Sequence, residues 1–206
     1  MRKFVLDTNL FFNMEPGMGM GKKTEEVVIA VTQSIKKKKK EKLGEFFMPP
    51  RVVDELLSFF DDKEQKFLKE FLAEIHVKSP EITNISFPST VFYELVQDVR
   101  ERNYKGITIA QEEVEEAAKT MNGGKEEGKK EYQIKIGPVI KSLRDRYRQA
   151  TRTGFLDSVA DLDLIVLAKE QGAAVVSTDE GVLIWARKFG ATEMQAAAFG
   201  QWMLEE

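Results

Sequence analysis

The chain has 206 residues and a formal net charge of −3, which excludes a surface uniformly coated with positive charge but not local basic patches. It contains no cysteine and one histidine, so disulfides, thiolate zinc sites and cysteine nucleophiles are excluded, and Ser-His-Asp or histidine-rich metal chemistry has little to build on. Any hydrolytic chemistry therefore has to rest on carboxylates and oxygen-preferring cations such as Mg²⁺ or Mn²⁺.

Hydropathy along the chain argues against a membrane protein. No stretch approaches the roughly 18 consecutive apolar residues that a membrane span requires. The basic start "MRK" leads into the short apolar stretch Phe4-Val5-Leu6, which is too brief for a signal peptide. We therefore expect a cytoplasmic protein with one hydrophobic core, enlarged by an additional lobe.

The first predicted element is a buried strand, Phe4-Val5-Leu6, which stops at Asp7 and is followed by Thr8 and Asn9. In open α/β sheets, ligands bind beyond the carboxyl ends of the strands. Asp7 is therefore either a turn residue or the first member of a site.

A methionine- and glycine-rich loop follows, and then a predicted helix, "TEEVVIAVTQSI", with Thr24 as its expected N-cap. "GMGMGKKT" differs from a phosphate-binding P-loop in its glycine spacing and in having Lys23 where Ser or Thr should follow, which favours a simple entry loop. The basic run Lys36–Lys40 is expected to be a solvated helix end, because lysines complement the helix dipole, with RNA contact as the alternative.

A short strand at Phe46–Met48 leads into a helix, "PPRVVDELLSFF", that begins with prolines and leaves Glu55 off its apolar face. That face is expected to contain Val53, Leu56, Leu57 and Phe60. A further helix, "KEQKFLKEFLAE", and a short strand around His76 come next, with the imidazole expected to be structural.

Residues 80–153 have a different composition and predict a helical insertion, with helices hinged at Asn122-Gly123-Gly124. The α/β pattern returns after Gly154, as the helix "DSVADLDLIVLAKEQG" ending at Gly172, the strand "AAVVST" and the helix "EGVLIWARKFG". We therefore expect a parallel α/β sheet flanked by helices over residues 1–79 and 154–206, with the insertion protruding from it.

Acidic residues mark the ends of the predicted strands. Asp7 and Asp179 each follow a buried strand and should share one rim of the sheet, while Asp157 and Asp161 lie four residues apart on one helix face. Like charges at this spacing repel. A divalent cation would offset that repulsion, whereas the plainer interpretation is that these residues begin turns or cap a helix. Asp163 points the other way and could pair with Lys169 or with an arginine of the insertion.

Three stretches resemble the signatures of PIN-domain nucleases: "FVLDTN", "PPRVVDEL" and "DLDLIVLAKEQGAAVVSTDEGV". That family consists of metal-dependent ribonucleases with a Rossmann-like α/β fold. Its acidic positions match Asp7, Glu55, Asp161 and Asp179. The resemblance covers residues 1–79 and 154–206 and implies the same fold and chemistry.

The full chain is also similar to the HARP group, homologs of Aquifex RNase P also called RNA ligase partner proteins. The shared features are the size, the methionine- and glycine-rich loop, the position of the insertion and the paired acids of "FLDSVADLD". The resemblance implies a protein-only RNase P that removes the 5′ leader of precursor tRNA, leaves a 5′-phosphate on the mature tRNA, and assembles through its insertion into homo-oligomers.

Site roles follow from this resemblance. Asp7, Asp161 and Asp179 would hold Mg²⁺, or Mn²⁺ in its place, and Asp157 would be a further ligand or orient the attacking water. Glu55 and Asp163 would contribute less directly.

Other functions stay open. A toxin-type PIN ribonuclease has no evident need for the insertion, and a non-catalytic RNA-binding partner has no evident need for a complete acidic set. An acidic-pocket receiver or phosphatase would require a second Asp where Asn9 stands.

The insertion carries two surfaces of interest. An apolar stripe of Ile107, Ile109, Val114 and Ala118 should pack against another subunit, unless the two insertion helices cover each other. A basic stripe on a helical wheel of "KSLRDRYRQATR" is expected to contact the RNA backbone, or else to pair with the acidic helix "QEEVEEAAK". It consists of Lys141, Arg144, Arg148 and Arg152.

Overall fold

The computed structural model describes residues 1–12, 18–121, 129–152, 156 and 158–205. The chain divides into two compact units, the first formed by Met1–Pro88 and Leu156–Glu206 and the second by Ser89–Phe155. The sequence suggested boundaries at 79/80 and 153/154. Residues 80–88 group with the first unit, where the Glu81 N–H donates to Glu170 (2.9 Å) and Phe87 packs edge-on against Phe189.

A five-stranded sheet forms the centre of the first unit, and all of its strand pairs are parallel. The strands are β1 (Arg2–Leu6), β2 (Gly44–Met48), β3 (His76–Val77), β4 (Ala174–Ser177) and β5 (Thr192–Gln195). Their order is β3-β2-β1-β4-β5, so the direction of winding reverses between β1 and β4. The predicted parallel α/β sheet is confirmed, and the reversal places a ligand crevice beyond the ends of these two strands.

Helices flank the sheet. They are α1 (Asn9–Phe12), α2 (Thr24–Lys40), α3 (Pro50–Ser58), α4 (Lys66–Glu74), α7 (Val159–Gln171), α8 (Glu180–Lys188) and α9 (Ala196–Leu204), while α5 (Thr90–Met121) and α6 (Lys129–Arg152) belong to the second unit. Across the described parts of the chain, no helix combines the length and the apolar character needed to cross a bilayer.

Aromatic and branched side chains fill the core around β1. Phe4 stacks on Phe46 at 5.6 Å between ring centroids and meets Phe199 edge-on at 5.2 Å. Val5 and Leu6 are completely buried, and each such side chain contributes about 1.5–3 kcal/mol through removal of apolar surface from water. This packing fixes the strand that delivers Asp7.

The lysine run differs in part from the solvated helix end expected of it. Lys38 is buried, donates to the Glu205 carbonyl (2.9 Å) and lies over the Trp202 ring, and Lys39 pairs with Glu74 (3.0 Å). Both therefore attach α2 to its neighbours. Thr24 is the first helical residue rather than the N-cap, which is Lys23.

The middle of the first unit largely follows the sequence pattern. The prolines precede and open α3, which buries Val52, Val53 and Leu56, while Leu57 is half-buried and Phe60 falls beyond the helix end. His76 lies in β3 as expected. Its ring is exposed on one side and packs against Phe47 on the other.

The described end of the glycine-rich loop packs closely against α9. Residues 13–17 lie outside the described part, but a Cβ placed on Gly200 would lie 2.3 Å from the carbonyl oxygen of Met18. Met18 itself is buried. The absence of a side chain at Gly200 therefore lets the loop backbone lie directly on α9.

The second unit is a pair of packed helices, α5 and α6. Arg146 joins them by donating to Glu112 and Glu113 (2.5 and 2.8 Å). The ring of Tyr147 occupies the space above Gly106, where an added Cβ would lie 2.6 Å from it. The expected hinge at 122–124 lies outside the described residues.

Candidate active site

Asp7 is the buried centre of the site. Its backbone N–H continues the sheet by donating to the Val176 carbonyl (3.1 Å), so the side chain emerges between β1 and β4 at the switch point. Its carboxylate accepts hydrogen bonds from the Ser177 hydroxyl (2.5 Å), the Asn9 side-chain amide (3.2 Å) and the Thr8 hydroxyl (3.3 Å). These donors fix the orientation of the carboxylate.

Burial raises the pKa of the Asp7 carboxyl above its ordinary value, because the charged form is removed from water. The hydrogen bonds from Ser177 and Asn9 lower that pKa, while the negative charge of Glu55 raises it further. Glu55 is exposed on α3 and is close enough to Asp7 for its charge to be felt. The site therefore concentrates negative charge where water is scarce.

Ser177 connects Asp7 with Asp179. The Ser177 oxygen donates to Asp7 and accepts the Asp179 N–H (2.9 Å), and Ser177 is completely buried at the end of β4. Asp179 in turn caps α8, with Oδ1 accepting the Gly181 N–H (2.7 Å), and its residue is exposed. In sequence Ser177 was only a small residue before an Asp, and its role becomes visible through the pairing of β4 with β1.

Asp163 forms an ion pair, but with a different partner from those expected from the sequence. Its Oδ2 lies 2.6 Å from Nη1 of Arg51 on α3, and Asp163 is buried. The expected partners, Lys169 or an arginine of the insertion, are therefore wrong, because α3 packs against α7 and supplies Arg51 instead. The only sequence signal was the position of Arg51, one helical turn before Glu55.

The remaining acids are placed as follows. Asp161 is half-buried in the first turn of α7, and its N–H donates to the Ser158 hydroxyl (3.1 Å), which makes Ser158 the helix cap. Asp157 lies outside the described residues. Among those that are described, no three acidic or imidazole side chains already converge on a metal-binding geometry.

The residues present nevertheless suit a divalent cation. Asp7 is a buried carboxylate whose pKa is raised by burial and by the charge of Glu55, and a cation bound to the carboxylate would counter both effects. Carboxylate oxygens are the ligands that Mg²⁺ prefers.

In the second unit, the basic stripe predicted for α6 is exposed at Lys141, Arg144 and Arg148, and none of the three forms an ion pair within the described part of the chain. The side chain of Arg152 lies outside that part. The acidic segment of α5 is paired by Arg146, which is not a stripe residue. The acidic segment of α5 therefore has its cationic partner in Arg146, and Lys141, Arg144 and Arg148 are not the residues that pair with it.

Comparison with known proteins places the chain in a family. Residues 3–206 match the family described as PINc domain ribonuclease. The chain is 36% identical to the RNA-free ribonuclease P of Thermodesulfovibrio yellowstonii, over 98% of this chain and 94% of that one. It is 35% identical to the RNA-free ribonuclease P of Pyrococcus abyssi (100% and 93%) and 30% identical to that of Haloarcula marismortui (96% and 88%).

The chain therefore belongs to the PINc-domain ribonucleases and, among them, to the family of RNA-free ribonuclease P. The PIN-type resemblance and the endoribonuclease class stated from the sequence are both confirmed.

Proposed function

We propose that this protein is a metal-dependent endoribonuclease that removes the 5′ leader of precursor tRNA in the cytoplasm and leaves a 5′-phosphate on the mature tRNA. One observation carries the proposal. The similarity to RNA-free ribonuclease P proteins extends over 98% of this chain and 94% of the relative, so it includes the helical unit as well as the nuclease unit. A similarity confined to the nuclease unit would have supported only an unspecified PIN ribonuclease.

The acidic side chains have different roles in the proposed reaction. Asp7, Asp161 and Asp179 hold Mg²⁺, or Mn²⁺, with Asp157 as a further ligand or as the group that orients the attacking water. A bound cation of this kind supplies Lewis-acid stabilisation of charge developing on the scissile phosphate. The Ser177 hydroxyl holds the Asp7 carboxylate in place and links the ends of β1 and β4. The same hydroxyl oxygen accepts the Asp179 N–H and so fixes the turn that carries Asp179.

Glu55 and Asp163 act less directly. Glu55 adds negative charge near Asp7 and is exposed, so it can contact a cation or a water molecule. Asp163 is engaged by Arg51 and thereby sets the position of α3, which carries Glu55, against α7, which carries Asp161. We assign Glu55 to the site itself and Asp163 to its positioning.

The helical unit binds the RNA backbone through the α6 stripe. Unpaired arginine and lysine side chains suit phosphate contacts, which orient a structured RNA without reading its sequence.

An exposed apolar stripe on α5 supports assembly of several chains. On α5, Phe92, Val96, Val99, Ile107 and Val114 recur at three- to four-residue multiples and are all exposed. Of the predicted apolar stripe, Ile107 and Val114 belong to this surface and Ala118 is exposed as well, whereas Ile109 is half-buried.

Incubating the purified protein with 5′-labelled precursor tRNA, with and without Mg²⁺, tests the proposal. The expected result is one labelled leader fragment, formed only with Mg²⁺, and a mature tRNA that carries a 5′-phosphate. The Asp7→Asn variant, which keeps the side-chain shape, is the control for a contaminating nuclease. Cleavage at many unrelated positions would instead indicate a general PIN ribonuclease, and binding without cleavage would indicate a non-catalytic partner.

A further inference from the structure

A cluster of phenylalanines lies at the surface of the first unit. The rings of Phe12 and Phe59 are 4.0 Å apart between centroids, and Phe60 lies 6.5 Å from Phe12. Phe67 of α4 packs edge-on against Phe60 at 5.6 Å and supports the cluster from behind. Phe59 is 58% exposed, although it is a large apolar side chain.

The elements that carry Phe12 and Phe59 also carry the acids. Phe59 follows Glu55 by four residues, and its backbone is still helical, so the two side chains lie on the same side of α3 one turn apart. Phe12 ends α1, whose first residue, Asn9, donates to the Asp7 carboxylate. Phe59 is therefore held next to Glu55 by α3, and Phe12 is held near Asp7 by α1.

Core packing does not account for this exposure. Phe11, the neighbour of Phe12, is completely buried and meets Phe71 edge-on at 5.2 Å, so α1 already anchors itself to the body of the unit through that ring. Phe59 lies at the end of α3, beyond the buried residues Val52, Val53 and Leu56 that attach the helix. Its ring is accordingly available to a ligand.

We propose that Phe12 and Phe59 form a stacking platform for an unpaired base of the 5′ leader, next to the phosphate that is cleaved. This inference rests on the proposed function. Bases have apolar faces that stack on aromatic side chains, whereas the acids beside the platform suit the phosphate and its cation. On the cleaved strand, nucleotides on the mature side of the cut are paired within the acceptor stem, so the free base faces next to the cut on that strand belong to the leader.

The platform would serve positioning rather than sequence recognition. Stacking on a phenylalanine ring accepts any base, because every base has a π-face. A stacked leader base adjacent to the cut would hold the scissile phosphate over Asp7 and Glu55 and draw the leader away from the helical stem. Loss of the platform should therefore weaken binding of leader-bearing RNA and leave binding of mature tRNA unchanged.

The test is a cycle that combines protein and RNA changes. Single-turnover cleavage is measured against protein concentration for wild type, Phe59→Leu and Phe59→Trp, with a precursor tRNA that is intact or abasic at one leader nucleotide. Abasic sites are placed in turn at the nucleotides nearest the cut. Ile82→Ala is the control, because Ile82 is a strongly exposed apolar residue of the same unit that lies outside the cluster. The molar mass of each variant is measured by light scattering.

We expect Phe59→Leu to raise the half-saturating concentration about 5-fold or more for intact precursor, with Phe59→Trp and Ile82→Ala near wild type. One abasic position should produce a similar loss in wild type and no additional loss in Phe59→Leu. Independent, additive losses would overturn the proposal, as would a Phe59→Leu variant that cleaves like wild type. A change confined to molar mass would overturn it too and identify the cluster as a subunit contact. Absence of cleavage by wild type would instead contradict the proposed function itself.

Discussion

At the scale of single residues, Asp7 is held in a position that is unfavourable for its own charge. Three neighbouring side chains hydrogen-bond the carboxylate, yet burial and the charge of Glu55 raise its pKa. An ionised carboxylate in such a place lowers the stability of the metal-free fold, and under the proposed function it would serve as a fixed metal ligand. Asp7→Asn should therefore reduce cleavage roughly 10²-fold or more while raising the free energy of unfolding of the metal-free protein at pH 7.

The sign of the pH dependence follows from proton binding. Between the ordinary value of 3.8 and the raised pKa of folded Asp7, the unfolded chain is ionised while the folded protein keeps its proton. Wild-type stability thus falls as pH rises through this window, and the advantage of Asp7→Asn should shrink as pH approaches 3.8. Urea unfolding of both proteins at several pH values, without metal, measures the difference in their free energies of unfolding. An advantage that is constant with pH would contradict the assigned cause.

The residue scale also shows what sequence could and could not predict. Asp7 and Asp179 were identifiable because each follows an apolar run at a strand end. Ser177 and Arg51 were not, because their roles depend on which strands and helices become neighbours in space. The Ser177–Asp7 bond spans 170 positions and the Arg51–Asp163 bond spans 112, and no local periodicity reports such pairings.

At the scale of elements, the Arg51–Asp163 ion pair links the two helices that carry Glu55 and Asp161. Asp163 is buried and would be left unpaired if Arg51 were shortened, although Arg51 itself is 61% exposed, which moderates the effect. Arg51→Ala should lower the free energy of unfolding by about 1–3 kcal/mol. Arg51→Lys should recover part of this loss.

Denaturant unfolding supplies the measurement, with Lys36→Ala as the matched control. Lys36 forms an ordinary exposed ion pair with Glu70 (3.6 Å), and removal of such a pair should cost less than about 1 kcal/mol. An Arg51→Ala effect no larger than that of Lys36→Ala would show that the Arg51–Asp163 pair does not hold α3 against α7.

Element prediction succeeded where periodicity was strong and failed where it was weak. The apolar runs before Asp7 and Asp179 became β1 and β4, whereas β5 was not identified, because "TEMQ" has one large apolar residue and no fully buried one. The lysine run was read as solvated since sequence shows charge but not the carbonyls, carboxylates and indole ring that receive Lys38 and Lys39.

The basic stripe on α6 gives a prediction about binding. Replacing Arg144 and Arg148 by Ala should weaken precursor-tRNA binding and reduce the log–log salt slope by roughly one unit per lost phosphate contact. Single-turnover cleavage at saturating protein should change little. Arg187→Ala is the control, because that arginine is exposed but paired with Glu193 (2.5 Å) in the first unit. An unchanged salt slope in a variant of unchanged molar mass would show that the stripe is solvated and does not contact the RNA backbone.

At the scale of the whole molecule, one chain supplies two units with different surfaces. The nuclease unit carries the acids on a parallel sheet, and the helical unit carries the exposed cations Lys141, Arg144 and Arg148 on α6 and exposed apolar side chains on α5. A pair of helices can bury only the facing sides of each, and the α5 stripe stays exposed in the part of the chain that the structure describes. Exposed apolar surface of this kind is typical of subunit contacts.

The α5 stripe therefore predicts assembly that depends on specific side chains. Ile107→Glu combined with Val114→Glu would place charges in an apolar interface, where burial without a partner is strongly unfavourable, so the assembly should dissociate. Light scattering at micromolar concentration should give a multiple of the 23.5 kDa chain mass for wild type and a value near one chain for the double variant. Gln133→Glu, which adds one charge at an exposed polar position of α6, should leave the mass unchanged. A wild type that is itself monomeric at this concentration would show that the stripe is not a subunit contact, and the RNA would then be the remaining candidate to cover it.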